Sequence, residues 1–196
     1  FMRQFIVVSH TATIDPGFSL NDLPGSGGRM DLLCRCVGSS LLISHASRSN
    51  ARIYLLLQNQ ITIRIEGSEI RYLHPDERCI AALIKKALEK IPDTIGQIEV
   101  ESTPGIYISK RNFRSLLTSI ESSGTFIHLD EEGSSSHTFS LPQEPIFILS
   151  DHQNFSPLET DILTEYVEKT MSLGPISLHA DHSITIIHNL LDNKTI

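Results

Sequence analysis

The chain has 196 residues, 40% of them hydrophobic, and a formal net charge of −7, so it can bury a sizeable core. No apolar run approaches the roughly 20 residues of a membrane-spanning helix, and no secretory leader pattern is visible at the start. Three cysteines without a CxxC pair exclude a disulfide framework and a zinc ribbon, and point to reduced thiols in a cytoplasmic protein.

Strands and helices alternate along the chain. Arg3–Ser9 reads as a strand, apolar at Phe5, Ile6, Val7 and Val8. The run Pro24-Gly25-Ser26-Gly27-Gly28 breaks the chain before a helix of about 16 residues. Leu33, Cys36, Val37, Ser40 and Leu41 form the buried stripe of that helix. Residues 53–58 and 61–66 read as two strands around Asn59-Gln60, a possible small hairpin insertion spanning about residues 53–72. Pro75-Asp76-Glu77 opens a second helix with the stripe Ile80, Leu83, Ile84, Ala87 and Leu88, closed by Pro92.

A strand over 105–109 and a helix over 111–120 follow. Residues 126–129 form a short strand before a polar loop at 130–136. A buried strand at 145–149 ends at Ser150-Asp151-His152, and a helix over 157–170 follows. Residues 176–178 form the last strand, and the last helix starts near His182. Strands separated by helices imply an α/β fold with a mostly parallel sheet, helices on both faces and one domain over 1–196.

Charge is unevenly spread. Residues 1–114 carry 14 Lys and Arg against 11 Asp and Glu, whereas residues 115–196 carry 2 against 12. A polyanion meets only the first part favourably, although solvated faces produce the same asymmetry. Gly25, Gly27 and Gly28 match neither GxGxxG nor the P-loop pattern. They read as a turn, or as a helix start whose N–H groups hold a phosphate. Arg29, Asp31 and Arg35 crowd the next helix, as a surface pair or as a substrate-facing cluster. His179, Asp181, His182 and His188 evoke a metal site, but His188 lies on the apolar stripe of the last helix and Asp181 suits its N-cap. No metal is expected.

Taken together, the segments LPGSGGRMDLLCRC, SHASR, PDERCIAALIKKAL, STPGIYISK, FILSDH and SLHADHSITIIHNLLD resemble the archaeal tRNA (pseudouridine-N1)-methyltransferases of the SPOUT superfamily. They run in that family's order from about residue 20 to 192. The resemblance implies a C-terminal trefoil knot, a homodimer paired through it, and S-adenosylmethionine as cofactor. It places the cofactor among loops near Leu129, near Ser150 and over Leu173, Gly174, Pro175, Ile176, Ser177 and Leu178, with Ser183 in the last helix. Ser150 stands where the family often has glycine, and Ser183 where it often has cysteine. A cysteine nucleophile is therefore absent at that position, and direct displacement at nitrogen needs none.

The implied reaction is N1-methylation of pseudouridine in the T-loop of tRNA. Proton removal from the target nitrogen falls to a nearby carboxylate or to water, with Asp31, Asp151 and Asp181 as the carboxylate candidates in that order. Arg29 and Arg35 would position the base or its phosphates. Arg48, Arg52, Arg78, Lys110, Arg111 and Arg114 are the further phosphate-contact candidates. The alternatives are a related rRNA pseudouridine methyltransferase, a non-catalytic knotted RNA-binding module, and a metallohydrolase built on His179, Asp181 and His182.

Overall fold

The computed structural model describes residues 1–194. The described elements are β1 (Arg3–Ser9), α1 (Met30–Leu41), β2 (Leu42–Ile43), β3 (Ala46–Ser47), β4 (Ala51–Leu57), β5 (Ile61–Glu66), α2 (Glu77–Leu88), β6 (Val100–Glu101), β7 (Ile106–Ser109), α3 (Phe113–Ile120), β8 (Thr125–Ser135), β9 (Pro145–Ser150), α4 (Pro157–Tyr166), β10 (Lys169–Ser172) and α5 (Ala180–Lys194).

Eight strands form one sheet in the order β10-β8-β9-β1-β4-β5-β7-β6. From β10 to β4 every pair is parallel, and from β4 to β6 every pair is antiparallel. β1 is central, with Phe5 opposite Ile53 on one side and Phe147 on the other. Its side chains alternate between two cores. Phe5 and Val7 join the core beneath α1, α2 and α5, while Ile6 and Val8 join the core beneath α3 and α4. Helices therefore cover both faces, the arrangement a parallel sheet requires.

The hairpin β4–β5 runs inside this sheet, β4 pairing directly with β1. The helical stripe Ile80, Leu83, Ile84, Ala87 and Leu88 is buried as its spacing dictates. Helix α1 has 12 residues rather than 16, because the chain turns back through β2 and β3, with His45 in the left-handed region (φ 65°) between them.

The C-terminal third departs most from the sequence pattern. The expected polar loop at 130–136 largely continues β8, which runs to Ser135. The expected helix over 157–170 stops at Tyr166, and Lys169–Ser172 is a strand beside β8, with a register shift between Thr170 and Met171. Both are edge segments whose exposed residues weaken the apolar alternation that marks a strand. Residues 176–178 are not a strand but irregular chain, with Ile176 73% exposed. Helix α5 begins at Ala180, so Asp181 lies in its first turn rather than capping it.

Candidate functional site

In an open parallel sheet, ligands bind beyond the carboxyl ends of the strands where the chain order reverses. Here that edge is formed by the ends of β9 and β10 and the middle of β8, His128 to Glu131. A cavity of about 330 Å³ opens there, lined by Leu129, Ser150, Leu173, Gly174, Ile176, Ser177, Leu178 and Ser183, residues that come from four separate elements. Pro175 is not among its lining residues.

Ser150 turns its hydroxyl back onto the carbonyl of Gln153, so its side chain folds into its own loop instead of blocking the cavity. Ser172 Oγ accepts the Gly174 amide at 3.1 Å and donates to the Gly174 carbonyl at 2.9 Å, which makes the turn tight. Gly174 has φ 145°, and a Cβ there would meet nothing within 4 Å. Its role is conformational freedom rather than close approach. Asp130, Glu131 and the half-buried His128 complete the wall. Burial holds the His128 imidazole below its ordinary pKa, against the nearby Asp130 and Glu131.

A second cavity of about 270 Å³ shares Asp151, Asn154, Ser177, Leu178 and Ala180 with the first. Val7, Leu32, Leu33 and Cys36 form its apolar part, and His152, His179 and Asp181 add polar groups. The two spaces thus have a common wall, and Val7, Leu32, Leu33 and Cys36 of the second cavity lie outside it.

The three candidate carboxylates stand in different surroundings. Asp31, buried in the first turn of α1, accepts Arg29 Nε and Nη2 at 3.1 Å each and Arg35 Nη1 at 3.3 Å. Burial pulls its pKa upward, but Arg29 and Arg35 outweigh that and hold it below the usual carboxylate value. Such a group orients arginines and is a poor proton acceptor. Asp151 accepts the His10 amide and ring at 2.8 Å each and the Gln153 amide at 3.0 Å. Asp181 is approached only loosely, by His182 at 3.7 Å and Arg35 at 3.9 Å. Arg35 also reaches Glu77 at 3.2 Å, so one guanidinium links α1, α2 and α5. Arg29 holds a left-handed backbone (φ 68°) at the start of α1, a strained conformation for a side chain of its size.

The other basic residues do not gather here. Arg48 is bidentate to Asp192 at 2.8 and 3.1 Å, Arg52 is paired with Glu66 at 2.5 and 3.1 Å, and Arg114 is paired with Glu165. Arg111 sits 3.9 Å from Glu99, and Lys110 donates to the Thr94 carbonyl. Among the described residues Arg78 makes no ion pair, and its amide is capped by Asp76. The glycine segment is a closed turn. Asp22 takes the amides of Gly25 and Ser26 with its side chain and that of Gly27 with its carbonyl, leaving these for no phosphate. Gly28 is obligatory there, since a Cβ would lie 1.9 Å from the Thr11 carbonyl oxygen at φ 63°.

His188 is the buried, satisfied histidine that its helical position indicates, with Nε2 donating to the Ser40 carbonyl at 2.9 Å and Nδ1 facing Arg3 Nη1 at 3.1 Å. No metal-sized group of three His, Cys, Asp or Glu occurs among the described residues. Sequence reasoning missed His10, Glu77 and Glu159. Only His10 carried a signal, by following directly on the carboxyl end of a predicted strand.

Residues 2–196 match the family described as "Putative SAM-dependent RNA methyltransferase". The chain is 46% identical to the tRNA (pseudouridine(54)-N(1))-methyltransferase of Haloarcula marismortui over 97% of this chain and 96% of the other. It is 47% identical to the enzyme of the same name from Haloferax volcanii, at the same coverage. In fold it is similar to Archaeoglobus fulgidus Nep1 bound to S-adenosylhomocysteine, with a TM-score of 0.66 and 15% identity, covering 98% of this chain and 97% of that one.

Proposed function

The chain belongs to this family of SAM-dependent RNA methyltransferases, and from that premise we infer that it transfers a methyl group from S-adenosylmethionine to N1 of pseudouridine 54 in tRNA. The observation that carries the reading is identity of 46 and 47% over 97% of the chain to proteins named for that reaction. The cofactor is S-adenosylmethionine. The residues of the first cavity suit it: apolar Leu and Ile side chains for the faces of adenine, irregular backbone for its edge, and Asp130 and Glu131 for positive charge.

When bound, S-adenosylmethionine supplies an electrophilic methyl on positively charged sulfur. The chain's own residues do the rest. The second cavity receives the target base, its apolar part against Leu32 and Leu33, after the base leaves its stack. Asp181 takes the N1 proton on a carboxylate oxygen, because of the three candidates it alone accepts no side-chain hydrogen bond. Arg35, tied to Asp31 and Glu77, and Arg29, tied to Asp31, face the RNA with partial exposure and hold the base or its flanking phosphates. Much of the acceleration would come from holding the base nitrogen in line with the methyl where the two cavities adjoin.

The trefoil threading of the C-terminal segment and a homodimer formed through it belong with this reading. Exposed Ile176, 73% accessible and on the wall of the first cavity, supports an apolar contact there. Among the described residues no helix is long and apolar enough to cross a membrane.

The test is to incubate the protein with methyl-labelled cofactor and tRNA transcripts with and without pseudouridine, alongside an rRNA hairpin, and to identify the product nucleoside by mass spectrometry. Label confined to N1-methylpseudouridine in tRNA is expected. Label only in the rRNA hairpin would move the chain to the related rRNA branch.

A further inference from the structure

His10 follows β1 directly and joins three pieces of chain. Its amide donates to Asp151 Oδ2 at 2.8 Å, Nδ1 lies 2.8 Å from Asp151 Oδ1, and Nε2 lies 2.7 Å from Glu159 Oε1 and 3.1 Å from Oε2. Asp151 in turn accepts the Gln153 amide, and its own amide donates to the Val8 carbonyl. Glu159 accepts the Ser156 amide at 2.7 Å while Ser156 Oγ accepts the Glu159 amide, the reciprocal cap that starts α4. One imidazole therefore pins both ends of the segment 151–159.

That segment is the wall between the two cavities. Asp151, Gln153, Asn154 and Phe155 line the first, and Asp151, His152 and Asn154 line the second. Ionised carboxylates only accept hydrogen bonds, so both ring nitrogens of His10 must carry hydrogens and the ring must be an imidazolium. The side chains are well shielded, 18% exposed for His10, 2% for Asp151 and 11% for Glu159. Burial alone would disfavour the charge, but Asp151 and Glu159 outweigh it and raise the pKa above the ordinary 6.5. The titratable groups facing the ring are Asp151 from the end of β9 and Glu159 from α4. His152 meets the same Asp151 at 3.7 Å.

We propose that His10 is a positioning residue, a proton-dependent clamp that holds the 151–159 wall in the shape both cofactor and target base need. When the ring loses a proton, one nitrogen presents a lone pair to a carboxylate, the contact becomes repulsive, and the wall loosens. Part of this rests on the cofactor assignment of the first cavity; the clamp itself does not.

The experiment measures calorimetric affinity for S-adenosylhomocysteine from about pH 6 to about pH 9, in the wild type, His10→Gln and Glu159→Gln, together with amide hydrogen exchange over 151–156. Wild-type affinity is expected to weaken about tenfold as the ring deprotonates. His10→Gln is expected to be weak and to lack that step, and Glu159→Gln to move the step to lower pH by removing one stabilising carboxylate. Exchange of the 151–156 amides should rise in His10→Gln at neutral pH. A His10→Gln protein with wild-type affinity, pH profile and exchange overturns the proposal. If the wild type fails to bind the probe at any pH, the cofactor assignment falls; unchanged exchange in both variants would then overturn the clamp as well. Ring-nitrogen NMR of the wild type gives a reading that needs no variant to fold, and a neutral His10 ring at pH 7 also overturns it.

Discussion

The two ends of β1 solve opposite problems with the same kind of side chain. At its start, Arg3 meets His188, which is buried, neutral and donating to Ser40, while Arg3 and Arg48 both close on Asp192. At its finish, the His10 ring lies between two carboxylates, Asp151 and Glu159, and Asp151 lines both cavities. Burial, with Arg48 and Arg3 adding to it, pushes the His188 pKa down to about 4, whereas Asp151 and Glu159 raise that of His10. The amino edge of the parallel strands is tied by Arg3, Arg48, Asp192 and His188 around Ser40, and at the carboxyl edge the paired Asp151 also lines both cavities.

Substitutions at the two ends should therefore act differently. The largest effect is expected for His188→Ala, which opens a cavity and leaves the Ser40 carbonyl unpaired. It should cost about 3–4 kcal/mol in denaturant unfolding, with methylation per folded molecule unchanged. At the other edge, Asp181→Asn should lower kcat about 100-fold while calorimetric affinity for S-adenosylhomocysteine stays at the wild-type value. Equal loss of both would make Asp181 a structural residue. Asp31→Asn should instead raise KM for RNA more than it lowers kcat, because it releases Arg29 and Arg35.

Acid should break the amino edge first. A histidine held below its ordinary 6.5 leaves the unfolded chain binding a proton that the folded chain refuses, so stability falls as pH drops from 6.5 towards 4. A loss of roughly 2 kcal/mol is expected over that window, absent in His188→Gln. Asp192, held down to about 2 by Arg48 and Arg3, adds a further loss below the ordinary 3.8. His10 runs the other way, its contribution being present in acid and lost as pH rises above its raised pKa. Gly174→Ala should weaken S-adenosylhomocysteine binding about fivefold through backbone strain at φ 145°, since no steric contact opposes the methyl group. The smallest effect is expected for Arg114→Ala, whose exposed pair with Glu165 should leave Tm and activity where they were.

Local pattern was a good guide wherever one face of an element is buried. β1, the β4–β5 hairpin and the stripe of α2 follow their periodicities, because a misplaced side chain there would put an apolar group in water. The pattern misled at the sheet edge. Exposed residues blur the alternation along β8 and in β10, and the apolar run 176–178 becomes irregular chain with Ile176 in solvent. The arginines show a related limit. Composition counts Arg48, Arg52 and Arg114 as positive charge, and only the structure shows that each is paired with a carboxylate that the sequence places 14 to 144 residues away.

By itself the sequence determined that alternating strands and helices would build an open sheet, and, by resemblance, which reaction to look for and which segments, near Leu129, Ser150 and Leu173, to propose as the cofactor site. Only the tertiary structure decided which carboxylates among Asp31, Asp151 and Asp181 accept side-chain hydrogen bonds, and that His10, Asp151 and Glu159 meet across 141 and 149 residues of chain. The reason is that a hydrogen bond is fixed by the position of its partner. Positions across the sheet depend on strand order, which local propensity does not encode.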